Sequence, residues 1–181
     1  MSLEFNRRSF LKYTALTAVA FAGSSLLTGC ELENSMKPVR KLGQSANLMQ
    51  STFTLDSAAL SGTSTLNCGL TIKCGSKNGI RIWPENFQVV VTEKDSKTST
   101  VYNSTGTQGG ERQLTLSKTH NSLQKGETFQ TVLTVNNIRL TEGCTVEVQC
   151  WPRLISSVPG NETYNDMFVT WKLTYTAGKL A

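Results

Sequence analysis

The sequence predicts an all-β protein, an antiparallel β-sandwich of seven or eight strands that follows a signal peptide and a flexible tether. From about residue 51 onward, apolar residues alternate with polar ones, which is typical of strands with one buried face. Threonine, valine, isoleucine and aromatic residues dominate these stretches, and such residues favour strands. Turns rich in glycine, asparagine, serine and lysine separate the stretches, and no helical period is present. Two sheets with apolar inner faces satisfy this pattern.

The first four strands are predicted within residues 51–105. Phenylalanine and leucine alternate with threonine over residues 53–55, and residues 66–74 carry apolar side chains at five successive even positions. Residues 87–91 repeat the alternation, and a polar turn then brings residues 98–102 back beside them.

The other four strands are predicted in the second half of the chain. Residues 114–116 form a short strand and residues 129–135 a longer one. Residues 144–150 alternate cysteine and valine with threonine, glutamate and glutamine, and residues 167–175 form the last strand.

The first thirty residues resemble a bacterial export signal. Arg7 and Arg8 are followed by Ser-Phe-Leu-Lys, a pattern similar to a twin-arginine signal. The apolar run that follows, residues 15–27, is shorter than the roughly 20 residues that a membrane-spanning helix needs. The segment Leu27-Thr28-Gly29-Cys30 resembles a lipobox, which implies cleavage before Cys30 and acylation of its sulfur, for example by palmitate. These resemblances imply a protein held by lipid on the extracytoplasmic face of the cell membrane.

The predicted organisation therefore has three parts. Residues 1–29 form a twin-arginine lipoprotein signal peptide, residues 30–50 a lipidated flexible tether, and residues 51–181 the sandwich domain. The formal net charge of +5 falls to about +3 without the signal peptide, because that segment holds three basic residues and one glutamate. The basic residues are scattered rather than gathered on one face, so we expect no nucleic-acid partner.

Four cysteines in the domain, outside the reducing cytosol, predict disulfides. Cys68 and Cys74 share one predicted strand, and Cys144 and Cys150 share another. Antiparallel neighbouring strands would join Cys68 to Cys150 and Cys74 to Cys144, the arrangement we favour. Strands that run in the same direction across the sandwich would join Cys68 to Cys144 and Cys74 to Cys150. The alternative function is a redox or metal-binding envelope protein that uses these four cysteines, although five intervening residues is wider than zinc motifs usually have.

Cysteines in an early and a late strand, with Trp83 after the first pair, resemble an immunoglobulin-like sandwich. More narrowly, the arrangement is similar to the telokin-like domains of many bacterial lipoproteins. The tyrosine that stands two residues before the late cysteine of true immunoglobulin domains is absent, because Val148 precedes Cys150 at that position. The resemblance implies architecture over about residues 51–176 and no activity.

The candidate binding residues are two tryptophans that each precede a proline. Trp83 and Trp151 end strands and break the inward parity of their neighbours, so we expect them off the core face, where they would offer a platform to a protein or glycan. The only histidine, His120, lies in a polar stretch and is expected to be a solvated loop residue. We recognise no catalytic residues, metal ligands or cofactor motif, and we expect a non-enzymatic binding or interaction module.

Overall fold

The computed structural model describes residues 37–105, 111–154 and 167–181. These residues contain one short 3₁₀ helix, Pro84–Asn86, and strands of two to eleven residues. In chain order the strands are β1 (Val39–Arg40), β2 (Ser45–Leu48), β3 (Ser51–Ser61), β4 (Thr65–Lys73), β5 (Ile80–Ile82), β6 (Phe87–Thr92), β7 (Ser99–Asn103), β8 (Glu111–Arg112), β9 (Leu114–Leu116), β10 (His120–Leu123), β11 (Thr128–Val135), β12 (Thr145–Cys150), β13 (Arg153–Leu154), β14 (Val169–Thr176) and β15 (Lys179–Leu180).

The strands form an all-β sandwich, as the sequence predicts. One sheet has the order β1-β14-β12-β6-β7-β8, with β15 paired to β14, and the other has the order β2-β3-β4-β11-β9. All pairings in the second sheet are antiparallel, whereas β1 pairs with β14 and β8 with β7 in parallel. The central order, β3-β4-β11-β9 against β14-β12-β6-β7, is that of an immunoglobulin-like sandwich.

A third, small sheet is built from the segments that leave and enter the two main sheets. It has the order β10-β5-β13. Strand β5 lies between β4 and β6 in the chain, β10 precedes β11, and β13 follows β12. The small sheet therefore lies at the end of the sandwich where β4 and β12 finish.

Alternation places one face of each long strand in the core. The apolar positions of β4, β6 and β12 are buried while the residues between them are partly exposed. Trp171 in β14 is the largest fully buried side chain, and its Nε1–H donates to the carbonyl of Gln44, 3.0 Å away. This bond ties the sheet that holds β14 to the segment that leads into β2.

The predicted tether of residues 30–50 is too long. Within it, β1 pairs with β14, and β2 pairs with β3 over four residues. Pro38, Ala46 and Leu48 are buried, so they contribute to the domain rather than to a linker. The eight predicted strands are present, and the short strands β1, β2, β5, β8, β10, β13 and β15 add to them.

A close approach of two backbones explains the glycine that follows β4. A Cβ placed on Gly75 would lie 1.8 Å from the carbonyl oxygen of Gln50. The amide of Gly75 donates to Ser51 Oγ at 3.1 Å, and Ser51 is 1% exposed. The turn between β2 and β3 therefore packs directly on the end of β4, and only glycine fits there.

Candidate interaction surface

Trp83 lies immediately after β5 and presents its ring to solvent. Its side chain is 38% exposed, among the highest values for a large apolar residue in the described part of the chain. The guanidinium of Arg81 lies over the ring, 4.6 Å from the centroid. The indole Nε1–H donates to Asn121 Oδ1 at 2.8 Å, and Asn121 belongs to the neighbouring strand β10. Trp83 is thus an exposed but oriented aromatic side chain.

Trp151 follows β12 and forms a second aromatic group. Its ring stacks at a tilt on Phe168, with centroids 5.0 Å apart and planes 31° apart. The ammonium group of Lys37 lies 5.7 Å from the centroid of Phe168. Trp151 and Phe168 are both half-buried, so each ring keeps some surface in water.

Asn86 joins the two tryptophans. Its side chain is 1% exposed, and its Oδ1 accepts a hydrogen bond from the backbone N–H of Trp83 at 2.8 Å. Its Nδ2 donates to the carbonyl of Trp151 at 3.1 Å, and its own carbonyl accepts from the Trp151 N–H at 2.8 Å. We call the group formed by Trp83, Asn86, Trp151 and Phe168 the tryptophan corner.

The structure therefore places both candidate tryptophans off the core face and at the same end of the sandwich. Sequence parity predicts their outward position, but it does not identify Asn86 as the residue that connects them. One local signal was available, because Pro84 opens a helical turn and an asparagine at its end can bond back to the turn's first amide.

The chain enters the domain beside the tryptophan corner. The carbonyl of Pro38 accepts from the amide of Thr170 at 3.0 Å, two residues after Phe168. Val39 is 59% exposed, the highest value among the large apolar residues described. The described part of the chain therefore begins at this end of the sandwich.

His120 is not a solvated loop residue, because it begins strand β10 and is half-buried. Its ring meets Phe129 edge-on at 5.3 Å, and its Nδ1 accepts from the amide of Ser122 at 3.3 Å. These contacts give the imidazole a structural role.

The four domain cysteines are buried free thiols in the structure. The favoured pairing of Cys68 with Cys150 and Cys74 with Cys144 is wrong, because it requires β4 and β12 to be neighbours. Instead β4 lies between β3 and β11, while β12 lies between β14 and β6 in the facing sheet.

The positions of the cysteines along β4 and β12 show which of them lie at the same end of the sandwich. Cys74 follows β4 and Cys150 ends β12, and both strands finish beside the small sheet, where β5 pairs with β13. Cys144 lies at the opposite end of β12, where its carbonyl accepts from the amide of Tyr175. Of the two pairings that the sequence allows, only Cys68 with Cys144 and Cys74 with Cys150 agrees with this arrangement.

Burial also controls the chemistry of the thiols. It raises the pKa of Cys68 to about 12 and raises the pKa of Cys150 further. Burial also raises the pKa of Cys144, and Glu93 and Glu142 act in the same direction against two backbone hydrogen bonds. Thiols with raised pKa values stay protonated at neutral pH, so they are poor nucleophiles.

The export and lipidation residues Arg7, Arg8 and Cys30 lie outside the described residues. Over residues 37–105, 111–154 and 167–181, no helix is long and apolar enough to cross a bilayer. Within those same ranges, no group of three or more histidine, cysteine, aspartate or glutamate side chains is placed to hold a metal ion.

Comparisons with known proteins add a structural likeness. No protein-family model matches the chain, and no curated protein matches it. Among solved structures, the chain is similar to the yjhA protein from Bacillus subtilis, at 14% sequence identity and a TM-score of 0.49. The likeness covers 74% of this chain and 98% of that one.

Proposed function

We propose that the protein is a twin-arginine-exported lipoprotein, anchored through Cys30, whose sandwich is a non-enzymatic interaction module of the cell envelope. The observation that carries the proposal is the tryptophan corner. The buried side-chain amide of Asn86 hydrogen-bonds to the backbone of two partly exposed tryptophans at one end of the fold. A protein that needed these rings only for packing would gain more by burying them.

The contacts of the polar and sulfur groups support an interaction role over the redox or metal alternative. The His120 imidazole is engaged with Phe129 and a backbone amide. The raised pKa values of Cys68 and Cys150 favour structural thiols or disulfides over exchange chemistry. A redox protein would instead have an exposed cysteine with a lowered pKa.

The proposed export and lipid anchoring are tested by the intact mass of the protein purified from membranes. We expect cleavage before Cys30 and added acyl mass on its sulfur, and a Cys30→Ala variant should lose both and leave the membrane fraction. A full-length or unacylated wild-type chain would contradict the lipoprotein assignment.

The interaction role is tested by hydroxyl-radical footprinting of intact cells and of the purified protein. We expect Trp83 and Trp151 to be oxidised less in the envelope than in isolation, because a partner covers the tryptophan corner. Val132, which is also 38% exposed but lies on the outer face of β11, is the internal control. Equal oxidation of both tryptophans in the two settings would contradict the role.

A further inference from the structure

We propose that the tryptophan corner docks on the membrane itself, with Trp83 and Trp151 at the level of the lipid headgroups and Lys37 beside anionic lipids. The inference rests on the proposed acylation of Cys30 and names the partner of the proposed interaction surface.

Chain length is the first argument. Seven residue steps separate Cys30 from Lys37. Even fully extended, they span at most about 25 Å. Because Pro38 is hydrogen-bonded to Thr170, the chain cannot supply more slack without breaking β1 away from β14. The tryptophan corner is therefore held close to the anchoring lipid.

The opposite end of the sandwich lies further from the anchor. Strand β6 runs away from the corner over six residues, from Phe87 to Thr92. At about 3.3 Å per residue this adds roughly 20 Å before the turn that leads to β7. That end would meet the bilayer only if the short linker folded back along the domain.

The chemistry of the exposed groups is the second argument. Three large apolar residues are exposed in the described part of the chain, and two of them, Val39 and Trp83, lie at or next to this corner. Tryptophan favours the membrane interface because its ring is apolar and its N–H is polar. The half-buried rings of Trp151 and Phe168 add a second partly exposed aromatic group, which Asn86 connects to Trp83.

Charge is the third argument. Lys37 lies over the ring of Phe168, and Arg81 lies over the ring of Trp83, so a cation packs on each aromatic group. Within the 3₁₀ turn Pro84–Asn86, Glu85 carries a carboxylate. A basic residue near an anionic membrane surface contributes about 1 kcal/mol of attraction. Aromatic rings bordered by cations suit an anionic bilayer surface.

The test uses the full mature lipoprotein reconstituted in vesicles of phosphatidylcholine and phosphatidylglycerol at three to one, with part of the phosphatidylcholine brominated on its acyl chains. Bromine quenches only indoles at the bilayer. We expect quenching of Trp83 and Trp151, and its loss in a Trp83→Phe/Trp151→Phe variant. The one tryptophan left in that variant, Trp171, is fully buried and reports on the core.

A Lys37→Gln variant should lower the ratio of docked to undocked protein about fivefold in these vesicles. The matched control Lys179→Gln changes an exposed lysine of β15 and should leave the quenching unchanged. Equal effects of the two variants would overturn the electrostatic part of the inference.

The outcomes distinguish failure of the docking inference from failure of the lipoprotein assignment on which it rests. Acylated protein whose tryptophans are not quenched overturns the docking inference alone. Protein without acyl mass on Cys30 overturns the lipoprotein assignment and the docking together. Equal quenching of the double variant also overturns the docking, because the signal would then come from Trp171.

Discussion

Replacing Asn86 by alanine should destabilise the domain and loosen the two tryptophans together. The change removes the acceptor for the Trp83 amide and the donor to the Trp151 carbonyl, which now lie at 2.8 and 3.1 Å. A single intramolecular hydrogen bond contributes about 1 kcal/mol, and each buried group left without a partner costs about 1–3 kcal/mol. We therefore expect the free energy of unfolding to fall by about 2–4 kcal/mol.

Urea unfolding followed by circular dichroism measures this loss. Because a domain of this size is stable by only about 5–15 kcal/mol, the shift in midpoint should be large. The control Asn47→Ala removes an exposed amide that accepts from Thr52 Oγ1, and it should cost under about 0.5 kcal/mol. A loss for Asn86→Ala as small as that of the control would refute the connecting role of Asn86.

An Asn86→Asp variant separates the two side-chain bonds. It keeps an acceptor for the Trp83 amide but turns a carboxylate oxygen toward the Trp151 carbonyl. Burial beside an acceptor raises the pKa of that carboxyl in the folded state, so the folded protein binds its proton more tightly than the unfolded chain. The variant should therefore gain stability as pH falls below neutral, relative to the wild type. A pH-independent difference would show that Nδ2 contributes little.

Three further predictions concern the cysteines and the backbone contact at β4. After air oxidation of the unfolded-and-refolded protein, peptide mapping should find Cys68 joined to Cys144 and Cys74 joined to Cys150, and any link from Cys68 to Cys150 would contradict the strand order. In reductant, the free energy of unfolding should fall as pH rises above about 9. The reason is that the Cys68 thiol keeps its proton in the folded state up to a pKa of about 12, whereas the unfolded chain loses it earlier. A Cys68→Val variant should lose part of this pH dependence. Gly75→Ala should cost well over 1 kcal/mol by urea unfolding, since its Cβ would lie 1.8 Å from a backbone oxygen, and a near-neutral result would mean that the β2–β3 turn moves freely.

The sequence was sufficient to predict which strand residues are buried in the core, because the alternation of apolar and polar residues is a local property. In β4 and β12 every second residue is apolar, and those residues are the ones that are buried. The outward position of Trp83 and Trp151 followed from the same parity. The short strands β5, β10 and β13 have two to four residues each, too few for a period to stand out.

The cysteine pairing and the tryptophan corner depend on contacts between distant parts of the chain. Two strands with equal cysteine spacing satisfy two connectivities, and only the assignment of β4 and β12 to facing sheets removes one. The bond from Asn86 to Trp151 joins residues 65 positions apart. No local sequence pattern around Asn86 predicts that it bonds to Trp151. The sequence indicates only that Asn86 lies in a turn.

The shorter tether changes how far the domain could move from the membrane if Cys30 is acylated as proposed. A flexible linker from Cys30 to residue 51 would span up to about 75 Å and would let the domain move widely around its anchor. Pairing of β1 with β14 and of β2 with β3 takes the second half of that segment into the sandwich. Seven residue steps then remain between Cys30 and Lys37, which span at most about 25 Å, and Lys37 lies beside Phe168. If Cys30 is acylated as proposed, the end of the fold that carries Trp83 and Trp151 is the end nearest to the lipid along the chain. Under that proposal, a partner that binds the tryptophan corner would be met at the membrane surface or would be that surface.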